Sequence, residues 1–300
     1  MFFKLRTESD RLKILRSLNT RMNLPENDKQ YYSNLKKGFE GEVKFDKLTE
    51  KLQSESLIVN DLLLKSNNTT FQIDSLIIQD VLYLFEIKNY EGDYYFEADN
   101  FYSMHETKIQ NPLHQLNRCE SLLSQLLLKH GYRIRIEAWV VFINPAFTLY
   151  QAPKNKPIIY PTQLDFLMNK LNASTMKLND RHHKIADLLV SLLQTESPYT
   201  DLPNYDFDKI QKGLTCKACH SFSISVHGRK TLCDECGNEE GFEAAVMRSV
   251  RELKLLFPDR KITTNDVLNW CEMNVAQARI SRILKKNLKV IGYGQWSTYE

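Results

Sequence analysis

The sequence predicts an α/β protein, a mixed β-sheet core flanked by helices, followed by a small cysteine module and a helical tail. Three observations predict it. Between Ser56 and Asn89 three apolar runs, "SLIVNDLLL", "TTFQIDSLII" and "VLYLFEIKN", are broken only at "KSNN" and "QD", the pattern of buried strands joined by tight turns. Strand-like and helix-like stretches then alternate, which favours a sheet covered by helices. Finally, two Cys-x-x-Cys pairs in one short run mark a separate metal-type module.

In chain order, residues 1–33 read as a short helix and a loose polar lead-in ending in "NLPENDKQYYS". "NLKKGFEGEVKFDKLTEKL" brings Leu35, Phe39, Phe45, Leu48 and Leu52 near one helical face. After the three strands and a mixed stretch, "NPLHQLNRCESLLSQLLLK" is a helix with Asn111 as its cap and Pro112 in its first turn. "IRIEAWVVFIN" supplies a strand ended by Pro145, "KPIIY" a short one, and "PTQLDFLM" to "ADLLVSLLQ" is helical. The expected domains are the lead-in 1–33, an α/β domain 34–200, a linker 201–212 introduced by "SPYTDLPNYD", a cysteine module 213–240 and a basic helical module 241–300. The last contains three helices, in "GFEAAVMRSVRELKLLF", "TTNDVLNWCE" and "NVAQARISRILKKNL", and a strand-like ending "VIGYGQWSTYE".

Forty Lys and Arg against 37 Asp and Glu leave a net charge of +3 over 300 residues, too little to announce a nucleic-acid binder by itself. The first residues lack the apolar core of a signal peptide and no stretch is long and uncharged enough to span a bilayer, so a cytoplasmic protein with no membrane partner is expected. Six cysteines in such a chain are not a disulfide scaffold. Cys119 and Cys271, among apolar neighbours, read as buried thiols.

The strands carry polar residues that a sheet core does not tolerate unless they are paired or bound. Glu86 and Lys88 share one face of their strand, and Gln72 and Asp74 share one face of theirs. An odd connection centred on Asp80 sets Asp74 beside Glu86 and Gln72 beside Lys88; an even one separates the charges. The odd connection is expected, because one polar cluster costs less than two isolated ones. Asp74 and Glu86, with the carbonyl of Ile87, then suit Mg²⁺ or Mn²⁺, and Lys88 suits an attacking water or the phosphoryl oxygens. Glu42 borders the apolar stripe of the preceding helix and is a third candidate, while Gly38 and Gly41 point to a close backbone approach there. Gln115, in the first turns of its helix, can offer a neutral donor to a phosphate. The same residues also suit a structural ion-pair network. Tyr90, Tyr94 and Tyr95 rim a cleft or pack in the core.

Four motifs in order resemble the nuclease-related domain family, a bacterial branch of the restriction-endonuclease-like PD-(D/E)XK superfamily. "GFEGE" matches at Gly38, Gly41 and Glu42, "FQIDSLII" at Asp74, "FEIKNYEG" at Glu86 and Lys88, and "NPLHQLNR" at Asn111, Pro112 and Gln115. The resemblance covers roughly residues 36–144 and departs from the superfamily pattern at Ile73, where a proline is usual. It implies a restriction-endonuclease-like fold and a Mg²⁺- or Mn²⁺-dependent nuclease, with Glu42, Asp74, Glu86, Lys88 and Gln115 as its site. Some superfamily members keep the fold for binding alone, so a non-catalytic DNA-binding, regulatory or adaptor protein is the alternative.

Cys216, Cys219, Cys233 and Cys236 have the spacing of a zinc ribbon, with four thiolates for a closed structural Zn²⁺ site. Between Arg260 and Trp296 seven Lys/Arg meet two acids. Helix, turn and helix follow there, with Arg279, Arg282, Lys285 and Lys286 as candidate DNA contacts and "VIGYGQW" as a wing. A helix-turn-helix or winged-helix module is the expectation, with a plain helical bundle as the alternative and a protein partner as a second use for either C-terminal module.

Overall fold

The structure is a computed structural model that describes residues 1–195, 200–294 and 297–300. From the N-terminus run β1 (Phe2–Lys4), α1 (Asp10–Arg21), α2 (Glu26–Thr49), β2 (Leu57–Ser66), β3 (Thr69–Ile78) and β4 (Leu82–Lys88). Then come β5 (Gly92–Glu97), β6 (Asn100–Ser103), β7 (Lys108–Ile109), α3 (Pro112–Lys129), β8 (Ile136–Phe142), β9 (Phe147–Tyr150) and β10 (Ile158–Ile159). After α4 (Leu164–Asn172) and α5 (Asp180–Ser191) the chain forms β11 (Ile224–His227), β12 (Lys230–Cys233), β13 (Glu239–Gly241) and α6 (Phe242–Leu256). It ends with α7 (Thr264–Cys271), α8 (Gln277–Asn287), β14 (Val290–Ile291) and β15 (Thr298–Tyr299).

Two compact units result: Met1–Glu8 with Asn34–Ser197, and Ser9–Ser33 with Pro198–Glu300. The first is an α/β unit with a six-stranded mixed sheet in the order β1-β2-β3-β4-β8-β10. Its middle, β2-β3-β4, is antiparallel, and β4, β8 and β10 run parallel. One face carries Leu76, Leu84 and Val140 against Leu116, Leu123 and Leu127 of α3 and Ile185 and Leu189 of α5. The other carries Ile58, Phe85 and Val141 against Phe45 of α2 and Leu167 and Leu171 of α4. Asn111 caps α3 by accepting the N–H of Leu113, with Pro112 in the first turn as expected. The stretch after β4, in which no element is legible from the sequence, forms a second sheet, β7-β6-β5-β9. Tyr90 and Tyr94 stack in that region, 5.1 Å apart, over Phe101.

The pairs Ser75–Phe85 and Ile78–Leu82 centre the β3–β4 connection on Asp80, the odd connection that the polar residues require. Within β3 the core-facing residues change parity: Ile78 and Leu76 share a core with Ile73 and Phe71. β2 makes the same change between Val59 and Leu62, where Asp61 has φ 54°, a left-handed conformation that Asp tolerates better than most residues. Lys4 fixes this kink by donating to the carbonyls of Asn60 (2.7 Å) and Asp61 (2.8 Å). Asp74 therefore sits at a break in the alternation, where a strand residue need not belong wholly to either face.

The loose lead-in is corrected. β1 pairs parallel with β2, α2 already begins at Glu26, and α1 supplies Ile14 and Leu18 to the core of the second unit. Those residues have apolar partners far along the chain, which local composition cannot reveal. Residues 196–199, which include the start of "SPYTDLPNYD", lie outside the described residues.

In the second unit β11-β12-β13 form an antiparallel sheet, and α6, α7 and α8 share one core with α1 through Phe242, Val246, Val250, Trp270, Ile280 and Leu284. Arg21 of α1 is 1 % exposed. It pairs with Glu252 at 2.7 Å, donates to the carbonyls of Gln211 and Gly213, and lies 4.1 Å over the Trp270 ring. β14 and β15 make a hairpin directly after α8, and Ile262 bridges to Tyr299 beside it. Part of the expected wing, Gln295 and Trp296, is outside the described residues. Cys119 and Cys271 are both buried.

Candidate functional site

Asp74 and Glu86 are the next residues beyond the last β3–β4 pair, Ser75–Phe85, and both are buried. Asp74 Oδ2 accepts the backbone N–H of Ile87 at 2.7 Å. Glu86 Oε1 lies 2.7 Å from the Lys88 ammonium, while Glu86 Oε2 is buried and has no hydrogen-bond partner among the described residues. Lys88 also donates to Gln115 Oε1 of α3 at 3.1 Å, so Gln115 meets the site through its carbonyl. Glu42 of α2 pairs with Arg6 at 2.6 Å.

The site gathers more negative charge than its two cations neutralise. Burial, and next the charge of Asp74, push Glu86 up to about 8 and Glu42 up to about 7. Asp74 is raised as well, chiefly by burial, against the opposing pull of Lys88 and the Ile87 N–H. Burial alone would lower Lys88, but Glu86 first, then Tyr90 and Asp74, outweigh it and hold its pKa above the ordinary range. Lys88 stays charged, and one ammonium cannot satisfy two buried carboxylates.

Gln72 is corrected. It is exposed and donates to Asp61 Oδ1 at 3.0 Å, because the ladder ends at Ser75–Phe85 and the parity change turns Gln72 away from Lys88. Ile87 contributes its N–H to Asp74. Gly41 packs so tightly that a Cβ there would overlap Asn89 Cβ, whereas Gly38 has nothing within 4 Å. Of the two glycines, only Gly41 is demanded by a close approach. Asn89 donates to the Lys37 carbonyl at 2.8 Å and ties β4 to α2.

Residues 37–143 match the family model of the nuclease-related domain. No curated protein and no solved structure matches the chain. The nuclease-related domain thus spans Glu42, Asp74, Glu86, Lys88 and Gln115, and the strands and helices that bring them together. One group beside the site lies before it. Arg6 has a side chain 3 % exposed and donates to Glu42, to both oxygens of Asp46 (2.9 and 3.1 Å) and to the Asp74 carbonyl (2.8 Å). Asp46 Oδ1 also accepts from Asn60, whose own Oδ1 accepts from Ser75. Sequence reasoning missed Arg6, Asp46 and Asn60. Asp46 was findable, four residues after Glu42 on the same helical face; Arg6 had no local signal.

The side chains of Glu42, Asp74 and Glu86 do not converge into one ligand shell; among the described residues the group that does is Cys216, Cys219, Cys233 and Cys236. Their sulfurs all lie within 4.8 Å of one another, with Cys216–Cys236 at 3.6 Å and Cys219–Cys233 at 3.5 Å. A tetrahedral ion with metal–sulfur bonds of about 2.3 Å needs sulfurs about 3.8 Å apart. The two halves are built alike. His220 (φ 62°) and Gly237 (φ 69°) each follow the second cysteine of a pair and return an N–H to the carbonyl of the first, Cys216 or Cys233.

The basic residues of α8 divide. Arg279 donates to the Gly228 carbonyl and stacks 3.7 Å over Phe242, and Lys286 pairs with Glu243 at 2.9 Å. Arg282 and Lys285 are exposed.

Proposed function

We propose that the first unit is a Mg²⁺- or Mn²⁺-dependent nuclease that hydrolyses DNA phosphodiester bonds, and that the second unit helps to hold the nucleic acid. Asp74 and Glu86 would hold the cation, with Glu42 as a further carboxylate released from Arg6. Such an ion supplies Lewis-acid polarisation of a phosphoryl oxygen and a more acidic water. Lys88, charged at neutral pH and steered by Gln115 and Glu86, donates to the oxygen on which negative charge grows. Gln115 keeps an amide N–H₂ with which to orient a phosphate. In this reading the chain adopts a restriction-endonuclease-like core, and the four thiolates hold a structural Zn²⁺, since a closed sulfur-only tetrahedron leaves no position for chemistry. A winged-helix arrangement of α6, α7, α8 and the β14–β15 hairpin belongs to the same proposal.

The observation that carries the nuclease reading is the second oxygen of Glu86, buried without a partner beside another buried carboxylate. A bound cation would satisfy it and relieve the repulsion with Asp74. One observation favours a non-catalytic, DNA-binding or adaptor scaffold instead: Glu42 and Glu86 already have Arg6 and Lys88 as counterions. Calorimetric titration with Mn²⁺ separates the two. Asp74→Ala should abolish binding, and Lys88→Ala should leave it within about threefold while DNA cleavage falls at least 100-fold, because Lys88 acts mainly as charge develops. An ion-pair scaffold predicts no Mn²⁺ binding in wild type and loss of a few kcal/mol of stability in both variants.

A further inference from the structure

We infer that the outer face of α8 and the hairpin after it form a duplex-DNA-binding surface in its own right, made by Arg282, Lys285, Lys289 and Tyr293, while Arg279 and Lys286 are internal staples that hold α8 in place. It rests on the reading that the second unit holds nucleic acid and names the residues and the nucleic acid, and it requires no cleavage and no divalent cation.

From Met273 to Tyr299 the chain has five basic residues and no acid. The structure divides those five by role. Arg279 reaches back to the β11–β12 turn at Gly228 and covers Phe242, and Lys286 is neutralised by Glu243 of α6. Arg282, Lys285 and Lys289 are exposed and have no ion-pair partner among the described residues. Arg282 and Lys285 are three apart and Lys289 lies four beyond, just past the helix, so the three follow one stripe about 10 Å long at a rise of 1.5 Å per residue. The opposite stripe, Ile280, Ile283 and Leu284, is buried. The face they share begins at exposed Ala278, a small residue that lets a helix approach a ligand closely.

Two further features belong to the same surface. The N-terminus of α8 has Ala276 as its cap, with no side-chain cap hydrogen bond, so its first N–H groups lack the partner that Ser, Thr, Asp or Asn would supply. The hairpin is closed at its base by reciprocal bonds between Lys289 and Glu300, and it presents Tyr293, 94 % exposed, between Gly292 and Gly294, both at positive φ. An aromatic ring this exposed has no role in the module's own core. The partner is duplex DNA because a helix of this length fits the major groove and a short hairpin beside it fits the adjoining backbone. A single-strand site would need several stacked aromatic platforms, and Tyr293 is the one exposed aromatic ring among the described residues of α8 and the hairpin.

The test uses the full chain and fluorescence anisotropy with a labelled 20-base-pair duplex and the matching single strand. Titrations run at several salt concentrations without added Mg²⁺ or Mn²⁺. Arg282→Ala/Lys285→Ala should reduce the slope of log K against log salt by about 2, since each neutralised phosphate contributes about 0.9. It should weaken binding at least tenfold at low salt, and Tyr293→Ala should weaken it about threefold to tenfold. Lys129→Ala/Lys209→Ala, which removes the same charge from exposed positions elsewhere, should leave the slope unchanged. No arm of this test reads cleavage or needs a divalent cation, so this surface and the nuclease site stand or fall separately. An unchanged slope in the Arg282/Lys285 variant, an equal loss in the control pair, or tighter binding of single strand than duplex would overturn the inference.

Discussion

Glu86 has one oxygen on Lys88 and the other without a partner among the described residues, and that asymmetry is where the site's chemistry is legible at the scale of single residues. Glu86 and Glu42 both have folded pKa values, about 8 and about 7, above the ordinary glutamate value of about 4.3. The stability that goes with their protonated forms is therefore complete below about pH 4 and is lost as pH rises through those folded values. The expected outcome is a melting temperature of metal-free protein that falls between pH 5.5 and 8.5, with a shallower fall in Glu86→Gln. Parallel curves for the two proteins would show that Glu86 does not titrate in this window. Asp74, Glu86 and Lys88 were legible in the sequence because strand parity is a rigid rule and a wrong register would have buried isolated charges. Gln72 was not, since the same rule fails where β3 changes parity at Asp74, a kink set by Asp61 and Lys4 on other strands. Arg6 was illegible for a related reason: its partners lie 36, 40 and 68 residues away.

Among the elements, α2 is the one whose placement decides whether Glu42 can take part. Its Gly41 meets Asn89 and Ile143, at the C-terminal ends of β4 and β8, so the helix lies as close to the sheet as backbone atoms permit. Gly41→Ala should lower stability by about 1–3 kcal/mol, as overpacking does, and weaken Mn²⁺ binding by displacing Glu42. Gly38→Ala, with open space around it, should be neutral or stabilising by up to about 1 kcal/mol. Denaturant melts of the two variants check this, and equal losses would show that the close approach is not what fixes α2. The two glycines are identical in a helical pattern, and only the position of β4 distinguishes them. The cysteine pairs were readable without any such context, because the spacing alone forms two knuckles, each closed by a residue in the left-handed region.

For the whole molecule, the nuclease-related match covers residues 37–143, yet the site it contains is completed by Arg6, two residues past β1, and the helix that follows, α1, packs in the other unit. The N-terminal residues serve both units, an arrangement that composition presents only as a polar lead-in. The α/β character, the three successive strands β2, β3 and β4 and the spacing of the four cysteines were all readable, since each depends on local periodicity or spacing. The sheet β7-β6-β5-β9 and the merging of the cysteine module with the helical tail into one core depend on pairings across distant segments, and they were not. The central claim is that Asp74 and Glu86 make the first unit a cation-dependent nuclease. Its most direct test is the cleavage of linear and supercoiled DNA by the purified chain over a range of Mn²⁺ concentrations, run beside Asp74→Ala. Cleavage that rises with Mn²⁺ and falls at least 100-fold in the variant is the predicted result; no cleavage at any Mn²⁺ concentration, or an Asp74→Ala protein that cuts at the wild-type rate, would contradict it.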